Sequence, residues 1–207
     1  MRLDLHVHLS PYSSCSGLSL EELFAAAGDR GLDGVCITDH GRYDGYRLAV
    51  EVAREHALAV FMGVEITTSR GDMLVYSEDE LPLGELPFGV DPQRLIDVAA
   101  RTGGLCFAAH PFRTSALSLG VSLDRLRGLR GVETRNGNCS PAQNAAAEAA
   151  ALRLGLLAVG GSDAHSSGQL GTWYTEFDHD VADQAAFVDA LARGLVRPAG
   201  PGTSLEG

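Results

Sequence analysis

The sequence predicts a single α/β domain of parallel strand–helix units, and the number of units fits a small barrel better than an open sheet. Three observations lead to this fold class. Short apolar runs alternate with stretches of helical periodicity, six or seven such units follow one another, and no linker or internal repeat separates them. A chain of 207 residues is long enough for one full core and too short for two large domains.

The elements of the first half follow from side-chain periodicity and from capping residues. Leu3–Leu9 alternates polar and apolar residues, which is typical of a strand. A helix is predicted over 19–30, with Ser19 as its N-cap and Gly31 after its last turn. The remaining predictions in this half are a strand over 34–38, a helix over 47–56, and strands over 60–66 and 73–76.

The second half continues the same alternation. Asp91 followed by Pro92 predicts the start of a helix over 91–101, because proline is favoured at the first helical position. An alanine-rich helix over 141–154 ends before Gly155. The remaining predictions are strands over 105–109, 132–134 and 156–159, a short helix over 123–129 and a last helix over 183–193. Residues 1–197 are assigned to the domain and 198–207 to a flexible C-terminal tail.

The charge balance excludes several function classes. The chain has 27 acidic and 16 basic residues, a formal net charge of −11, which disfavours a protein that grips duplex nucleic acid and suits one that holds cations. All 16 basic residues are arginines. The absence of lysine excludes Schiff-base enzymes, P-loop phosphate binders and metal sites bridged by a modified lysine. The sequence gives no indication of oligomeric state.

The expected compartment is the cytoplasm. The chain begins without an apolar run of signal-peptide length, and no later stretch approaches the roughly 18 apolar residues of a membrane span, so no membrane partner is expected. The four cysteines form no C-x-x-C pair, and Cys36 and Cys106 lie in apolar runs typical of core residues. This cysteine usage fits a reducing environment.

Most histidines lie at the carboxyl ends of predicted strands. His6 and His8 are two residues apart and therefore share one face of a strand, and Asp163 and His165 have the same spacing. Other strand ends carry His40, Glu65 and His110. Parallel strands place these ends at one rim, where paired imidazoles are costly unless a divalent cation binds them. Five histidines with two or three carboxylates exceed one tetrahedral site, which predicts two or three metal ions.

The motifs that carry these residues occur in a fixed order. They are His6-x-His8, Thr38-Asp39-His40, Gly63-Val64-Glu65, Ala109-His110-Pro111 and Gly161-Ser162-Asp163-Ala164-His165. This ordered set, spread over about residues 1–195, resembles the PHP family, named for its polymerase and histidinol phosphatase members. The resemblance implies a distorted (β/α)7 barrel that resembles a TIM barrel. It also implies two or three divalent metal ions (manganese, iron or zinc) and the hydrolysis of phosphate esters.

The resemblance also implies which residues bind which metal. Carried over motif by motif, the first metal is held by His6, His8, Glu65 and Asp163. Glu65 is implied to bridge to the second metal, which His110 also binds. The third metal is implied to be held by His40 and His165.

Two positions depart from the family's usual ligand pattern. Cys15 stands where relatives carry Asp or His, and its soft sulfur would favour zinc or iron at the third site. Asp72 stands where relatives offer a histidine to the second metal, and it is either an oxygen ligand or a turn residue. Glu133 is expected at the same rim, as a ligand or as a carboxylate behind the ligands. Asp39 is expected to orient a metal-bound histidine or to take the proton from bound water.

These expectations predict a metal-dependent phosphoesterase. It would cleave a small phosphorylated metabolite or nucleotide by attack of a metal-bridging hydroxide, with Asp39 and Glu65 as catalytic residues. Arg113 is expected to bind the substrate phosphate and Arg135 is the second candidate, although a surface ion pair is equally compatible with either. Two alternatives remain open: a metal-dependent amide or lactone hydrolase, and a non-catalytic module that metals stabilise.

Overall fold

The first of two five-stranded sheets contains both ends of the chain that the structure describes. A computed structural model describes residues 1–114 and 118–200. The strands of this sheet are β1 (Arg2–Val7), β2 (Gly34–Ile37), β3 (Ala59–Met62), β9 (Tyr174–Phe177) and β10 (Val196–Ala199). Their order is β10-β9-β1-β2-β3, with β1, β2 and β3 parallel and β9 antiparallel to both of its neighbours.

The second sheet follows the chain order. Its strands are β4 (Val64–Thr68), β5 (Gly71–Tyr76), β6 (Leu105–Ala108), β7 (Gly131–Asn136) and β8 (Leu157–Gly161). The first three strands are antiparallel and the last three are parallel. The turn between β4 and β5 is too short for a helical crossover, so β5 must return antiparallel to β4.

Helices connect the strands, and their capping residues set where they begin. The α-helices are α1 (Leu20–Asp29), α2 (Asp44–Ala53), α3 (Pro92–Arg101), α4 (Pro141–Leu154) and α5 (Gln184–Arg193), with 3-10 helices at Leu83–Glu85 and Gly120–Arg125. Ser19 and Ser140 each form a capping box at the start of their helix. Among the described residues no helix combines the length and the apolar character that a bilayer crossing needs.

Isolated parallel bridges join the two sheets, between the carboxyl end of β1 and the segment after β8 and between the segment after β2 and the start of β4. Val7 pairs with Ala164 on one side and His40 with Glu65 on the other. The prediction of one mixed α/β domain is confirmed. The strand ladders, however, are not the continuous parallel wall of a (β/α)7 barrel, because β5 and β9 run antiparallel to both of their neighbours and the two sheets are paired separately.

Several boundaries differ from the predictions. The strand predicted over 60–66 is interrupted at Gly63, where an added Cβ would lie 2.8 Å from the sulfur of Cys36. The predicted helix over 47–56 begins at Asp44, and the short helix predicted over 123–129 is the 3-10 helix at Gly120–Arg125. The predicted tail also begins too early, since two of its residues pair with β9 in β10: Pro198 and Ala199. Residues 201–207 lie outside the described chain.

Large aromatic side chains fill the space between the sheets below the strand ends. Tyr76 and Phe107 from the second sheet pack edge to face with ring centroids 5.4 Å apart, and Phe187 of α5 also meets the Tyr76 ring edge. The Tyr76 hydroxyl donates to the Leu5 carbonyl at 3.0 Å and ties the second sheet to β1. This buried layer fixes the separation of the strand ends that carry the ligand-type residues.

Candidate metal centre

The ligand-type side chains meet where strands of both sheets end. His6 lies near the end of β1 and His8 directly after it, and Glu65 comes from β4. His110 and Asp163 follow β6 and β8, and each of the five side chains is buried. The fold therefore brings together five residues that are up to 157 positions apart, between His6 and Asp163, at one end of the two sheets.

The central geometry contains two imidazole nitrogens and two carboxylate oxygens in mutual contact. The Nε2 atoms of His6 and His8 are 3.0 Å apart. Glu65 Oε2 lies 3.4 Å from the first nitrogen and 3.2 Å from the second, and Asp163 Oδ1 lies 3.4 and 3.3 Å from them. Ring nitrogens and carboxylate oxygens are the donors that zinc and related divalent ions take, so this set fits a metal.

Further donors surround Glu65 on both sides. Its Oε1 lies 3.0 Å from His110 Nε2 and its Oε2 lies 3.2 Å from His40 Nδ1. Four sets of residues place one donor atom each within 4.8 Å of one another: His6, His8 and Glu65; His6, His110 and Asp163; Glu65, Asp72 and His110; and His8, His40 and His165. Two of the four sets share Glu65, whose two oxygens contact different histidines, and this arrangement fits a carboxylate that would be shared between two ions.

The carboxylates of the centre are held in the ionised form. Burial alone would raise the pKa of Glu65, but the charge of His6 and a hydrogen bond from His110 outweigh it and hold this pKa well below its usual range. Burial likewise opposes ionisation of Asp163, whose pKa is nevertheless lowered, mainly by His6 and His8. Ionised carboxylates are the form that binds cations.

Glu133 supports two ligands from behind. Its Oε1 lies 2.9 Å from His6 Nδ1, while its Oε2 accepts the backbone N–H of His110 at 2.8 Å. Asn136 donates its amide to the same Oε2 at 2.9 Å and to Asp163 Oδ2 at 3.4 Å. Glu133 belongs to none of the four donor sets, so among the described residues its contacts favour the supporting role over the ligand role.

Asp39 supports His8 indirectly, through the hydroxyl of Ser13. The Ser13 hydroxyl lies 3.2 Å from His8 Nδ1 and donates to Asp39 Oδ1 at 2.6 Å. Leu9 donates its backbone N–H to the same oxygen at 2.8 Å, and Asp39 Oδ2 has no hydrogen-bond partner among the described residues. These contacts favour an orienting role for Asp39, one of the two that the sequence left open.

Two residues of the centre have a backbone conformation that non-glycine residues rarely adopt. His110 has φ of 27° and Asp163 has φ of 55°. Such conformations cost about 1–3 kcal/mol each and are typical of functional sites. Both residues directly follow a strand end, and the turn they make there directs their side chains into the centre.

The predicted arginines and Cys15 have distinct surroundings. Arg113 NH1 donates to Asp163 Oδ2 at 2.8 Å, which places this guanidinium at the centre. Arg135 instead pairs with Glu148 at 2.9 Å and lies over the Trp173 ring, as its surface ion-pair interpretation predicts. Cys15 is exposed and belongs to none of the four donor sets of the described residues, although its sulfur lies 3.2 Å from His165 Nε2.

Sequence reasoning missed two residues that the structure places behind the ligands, Asn136 and Ser13. The strand-end rule could have found Asn136, because β7 extends to this residue and not only to Thr134, where the predicted strand ended. Ser13 lies in a loop without periodicity, and no sequence signal points to it.

Comparisons with known proteins identify the family to which the chain is similar. The PHP domain model matches residues 4–135, and a model described as PHP-associated matches 141–196. An uncharacterised protein of Methanocaldococcus jannaschii is 30% identical over 146 residues, covering 66% of this chain and 82% of its own length.

Solved structures share the fold at lower identity. A two-domain protein from Bacteroides vulgatus, described as containing a predicted PHP-like metal-dependent phosphoesterase, superposes with a TM-score of 0.76 at 20% identity. The match covers 97% of this chain, which spans only 64% of that one. A proposed metal-dependent phosphoesterase from Bifidobacterium adolescentis gives a TM-score of 0.68 at 21% identity, covering 93% and 96% of the two chains. Since the PHP domain model matches more than half of the sequence, the chain belongs to the PHP domain family.

Proposed function

We propose that this chain is a metal-dependent phosphoesterase that hydrolyses a small phosphorylated metabolite or nucleotide. The observation that carries the proposal is that two donor sets share Glu65 while the Arg113 guanidinium is bound to Asp163, a member of a third set. Membership of the PHP domain family supports the same reaction class. A site that combines clustered metal donors with a fixed cation suits a substrate with a dense negative charge.

We propose that two or three ions of manganese, iron or zinc are bound here. Their ligands form one shared group and two flanking groups. His6, His8, Glu65 and Asp163 form the shared group, His110 and Asp72 flank it on one side, and His40 and His165 on the other. Bound divalent cations would neutralise phosphoryl oxygens and lower the pKa of water at the site. Cys15 is proposed only as an additional ligand next to His165.

Arg113 is proposed to bind the substrate phosphate. Its side chain is 31% exposed and donates to Asp163 through NH1, and the guanidinium carries further N–H donors that can reach substrate oxygens. A chain with a net charge of −11 repels phosphate at long range. A guanidinium fixed beside the centre offsets that repulsion where the substrate binds.

Two buried carboxylates are proposed to hold the ligands in position rather than to react. Glu133 fixes the ring of His6, and Asp39 acts on His8 through the Ser13 hydroxyl. These contacts determine which ring nitrogen of each histidine faces the centre. Glu65, which lies between the two flanking groups, remains the residue proposed to contact the reacting atoms.

The test is a hydrolysis panel on metal-loaded protein. Phosphate monoesters and diesters are assayed beside amide and lactone substrates, before and after removal of metal with a chelator. We expect phosphoester turnover that the chelator abolishes, a loss of at least tenfold in Arg113→Ala, and no loss in Arg193→Ala, an exposed arginine paired with Asp189. Full metal loading without turnover of any phosphoester would refute the proposal. Amide or lactone turnover that survives Arg113→Ala would support a carbonyl hydrolase instead.

A further inference from the structure

A cavity of about 200 Å³ opens beside the metal centre on the side of His40 and Glu65. These two residues form its inner wall. The outer walls come from Ile66 and from the segment around the 3-10 helix Leu83–Glu85, which supplies Leu86 and Phe88. A group bound in this cavity would therefore lie directly next to the donors on one side and against apolar side chains on the other.

The rim of the cavity carries an unusually exposed aromatic residue. The Phe88 side chain is 98% exposed, whereas Leu83 and Leu86 in the same segment are half-buried. Covering a solvent-exposed phenyl ring with an apolar group is favourable, because it removes apolar surface from water. Phe88 lies at the mouth of a cavity that leads to the metal centre. An apolar part of the substrate bound in this cavity would cover the ring.

The charge of the cavity also limits what fits there. The described residues that line it include no arginine, and the chain contains no lysine. Arg113 is not among these lining residues and is paired with Asp163. Away from the metal ions proposed at His40 and Glu65, a second phosphate in this cavity would meet mainly apolar walls without a side-chain cation to pair with, which is unfavourable.

We propose that this cavity binds the alcohol portion of the substrate, and that this portion is an apolar group about the size of one aromatic ring. The proposal rests on the proposed phosphoesterase function and narrows its substrate to monophosphate esters of such alcohols. Cavities of about 150 Å³ accept benzene, so a single ring fits the volume. In the reaction a water oxygen bonds to phosphorus, the bond from phosphorus to the alcohol oxygen breaks, and the alcohol leaves with a proton from that water.

The first test compares two esters of alkyl alcohols, 2-phenylethyl phosphate and ethyl phosphate, on the manganese-loaded protein. Both release an alcohol of similar basicity, so the comparison reports binding of the ring. We expect kcat/KM to favour the phenylethyl ester by roughly 30-fold, as burial of one phenyl ring predicts. Phe88→Ala should reduce this preference several-fold with little effect on the ethyl ester. Leu152→Ala, which removes a side chain of 86% exposure from α4, should leave the preference unchanged.

The second test measures binding without turnover. Calorimetry gives the Kd of 2-phenylethylphosphonate and of ethylphosphonate for the same protein and variants. A preference for the phenyl compound that Phe88→Ala reduces, in a protein that hydrolyses no ester, would support the cavity assignment and refute the phosphoesterase. Hydrolysis of both esters with equal kcat/KM would overturn the cavity assignment and leave the phosphoesterase intact. Absence of binding by either phosphonate, or a preference insensitive to Phe88→Ala, would also overturn it.

Discussion

Glu133 joins two elements that carry proposed metal ligands, because its Oε1 lies 2.9 Å from His6 Nδ1 while its Oε2 accepts the His110 backbone N–H at 2.8 Å. A single buried carboxylate from β7 thus fixes the ring of a residue on β1 and the turn after β6. Because Oε1 contacts Nδ1 of His6, Nε2 is the ring nitrogen that faces the centre. The position of two proposed ligands depends on this one side chain.

Glu133→Gln should weaken metal binding with little change in the fold. The glutamine amide nitrogen would face either His6 Nδ1–H or the His110 N–H, both of which are donors in the native arrangement. Loss of such a supporting contact typically costs about 10–100-fold in metal affinity. Calorimetric titration with zinc measures it, with Glu148→Gln as the control, since Glu148 is exposed and pairs with Arg135 at the surface. Equal affinities in the two variants would contradict the supporting role.

Ser13→Ala should lower both stability and metal affinity. The variant removes the hydroxyl between His8 Nδ1 and Asp39 Oδ1, and it leaves the buried carboxylate with the Leu9 N–H alone. Loss of a hydrogen bond to a buried charged group lowers the free energy of unfolding by about 1–3 kcal/mol. Urea unfolding of the metal-free protein measures this change. The control is Ser69→Ala, because Ser69 is exposed. A Ser13 variant as stable as this control would contradict the hydrogen bonding of Ser13 between His8 and Asp39.

Gly45→Ala should destabilise the protein, because Gly45 of α2 packs against Asp39. An added Cβ would lie 2.0 Å from Asp39 Oδ2, so the carboxylate or the helix must move. Gly28→Ala is the matched helical control, because α1 leaves open space around that position and alanine favours helix by about 1 kcal/mol. Thermal unfolding should show a lower Tm for the first variant and an equal or higher Tm for the second. A Gly45 variant with unchanged Tm and metal affinity would argue against the close packing of α2 on Asp39.

The stability of the metal-free protein should depend on pH through Asp4. This fully buried carboxyl accepts the backbone N–H groups of Ser162 and Gly171, yet burial raises its pKa from 3.8 to about 6. A group that holds its proton more tightly in the folded state stabilises the fold below its unfolded pKa, and this contribution is lost as pH rises through about 6. The wild-type free energy of unfolding, relative to Asp4→Asn, should therefore fall by roughly 2 kcal/mol from pH 4 to pH 7.

Urea unfolding in the presence of a chelator measures this difference without interference from metal binding. The comparison uses the change with pH, not the absolute stability, because the asparagine amide would face the Gly171 N–H and destabilise the variant at every pH. A difference between wild type and variant that stays constant across the range would show that Asp4 keeps an ordinary pKa.

The clustering of the proposed metal ligands could be predicted because strand ends and short spacings are local signals. His6 and His8 share a face of one strand whatever the rest of the chain does, and the turn after β8 keeps Asp163 beside His165. Helix starts were predicted equally well where a capping residue was present, as at Ser19. Such signals depend only on a few neighbouring residues.

The parts that sequence reasoning missed depend on tertiary contacts. The strands β9 and β10 are four residues each and are defined by pairing with one another and with β1, which no local pattern encodes. The start of α2 at Asp44 places Gly45 against Asp39, a contact between elements. Ser13 supports His8 from a loop, so its role becomes visible only when the Asp39 carboxylate is seen beside it.

The central claim is that the strand ends form a polynuclear metal centre, and elemental analysis of protein purified without chelator tests it most directly. His110→Ala is measured in parallel, because His110 Nε2 lies 3.0 Å from Glu65 and belongs to two of the four donor sets. We expect about two or three equivalents of manganese, iron or zinc in the wild type and a clear decrease in the variant. Less than about one equivalent in the wild type, not restored by added metal, would contradict the claim.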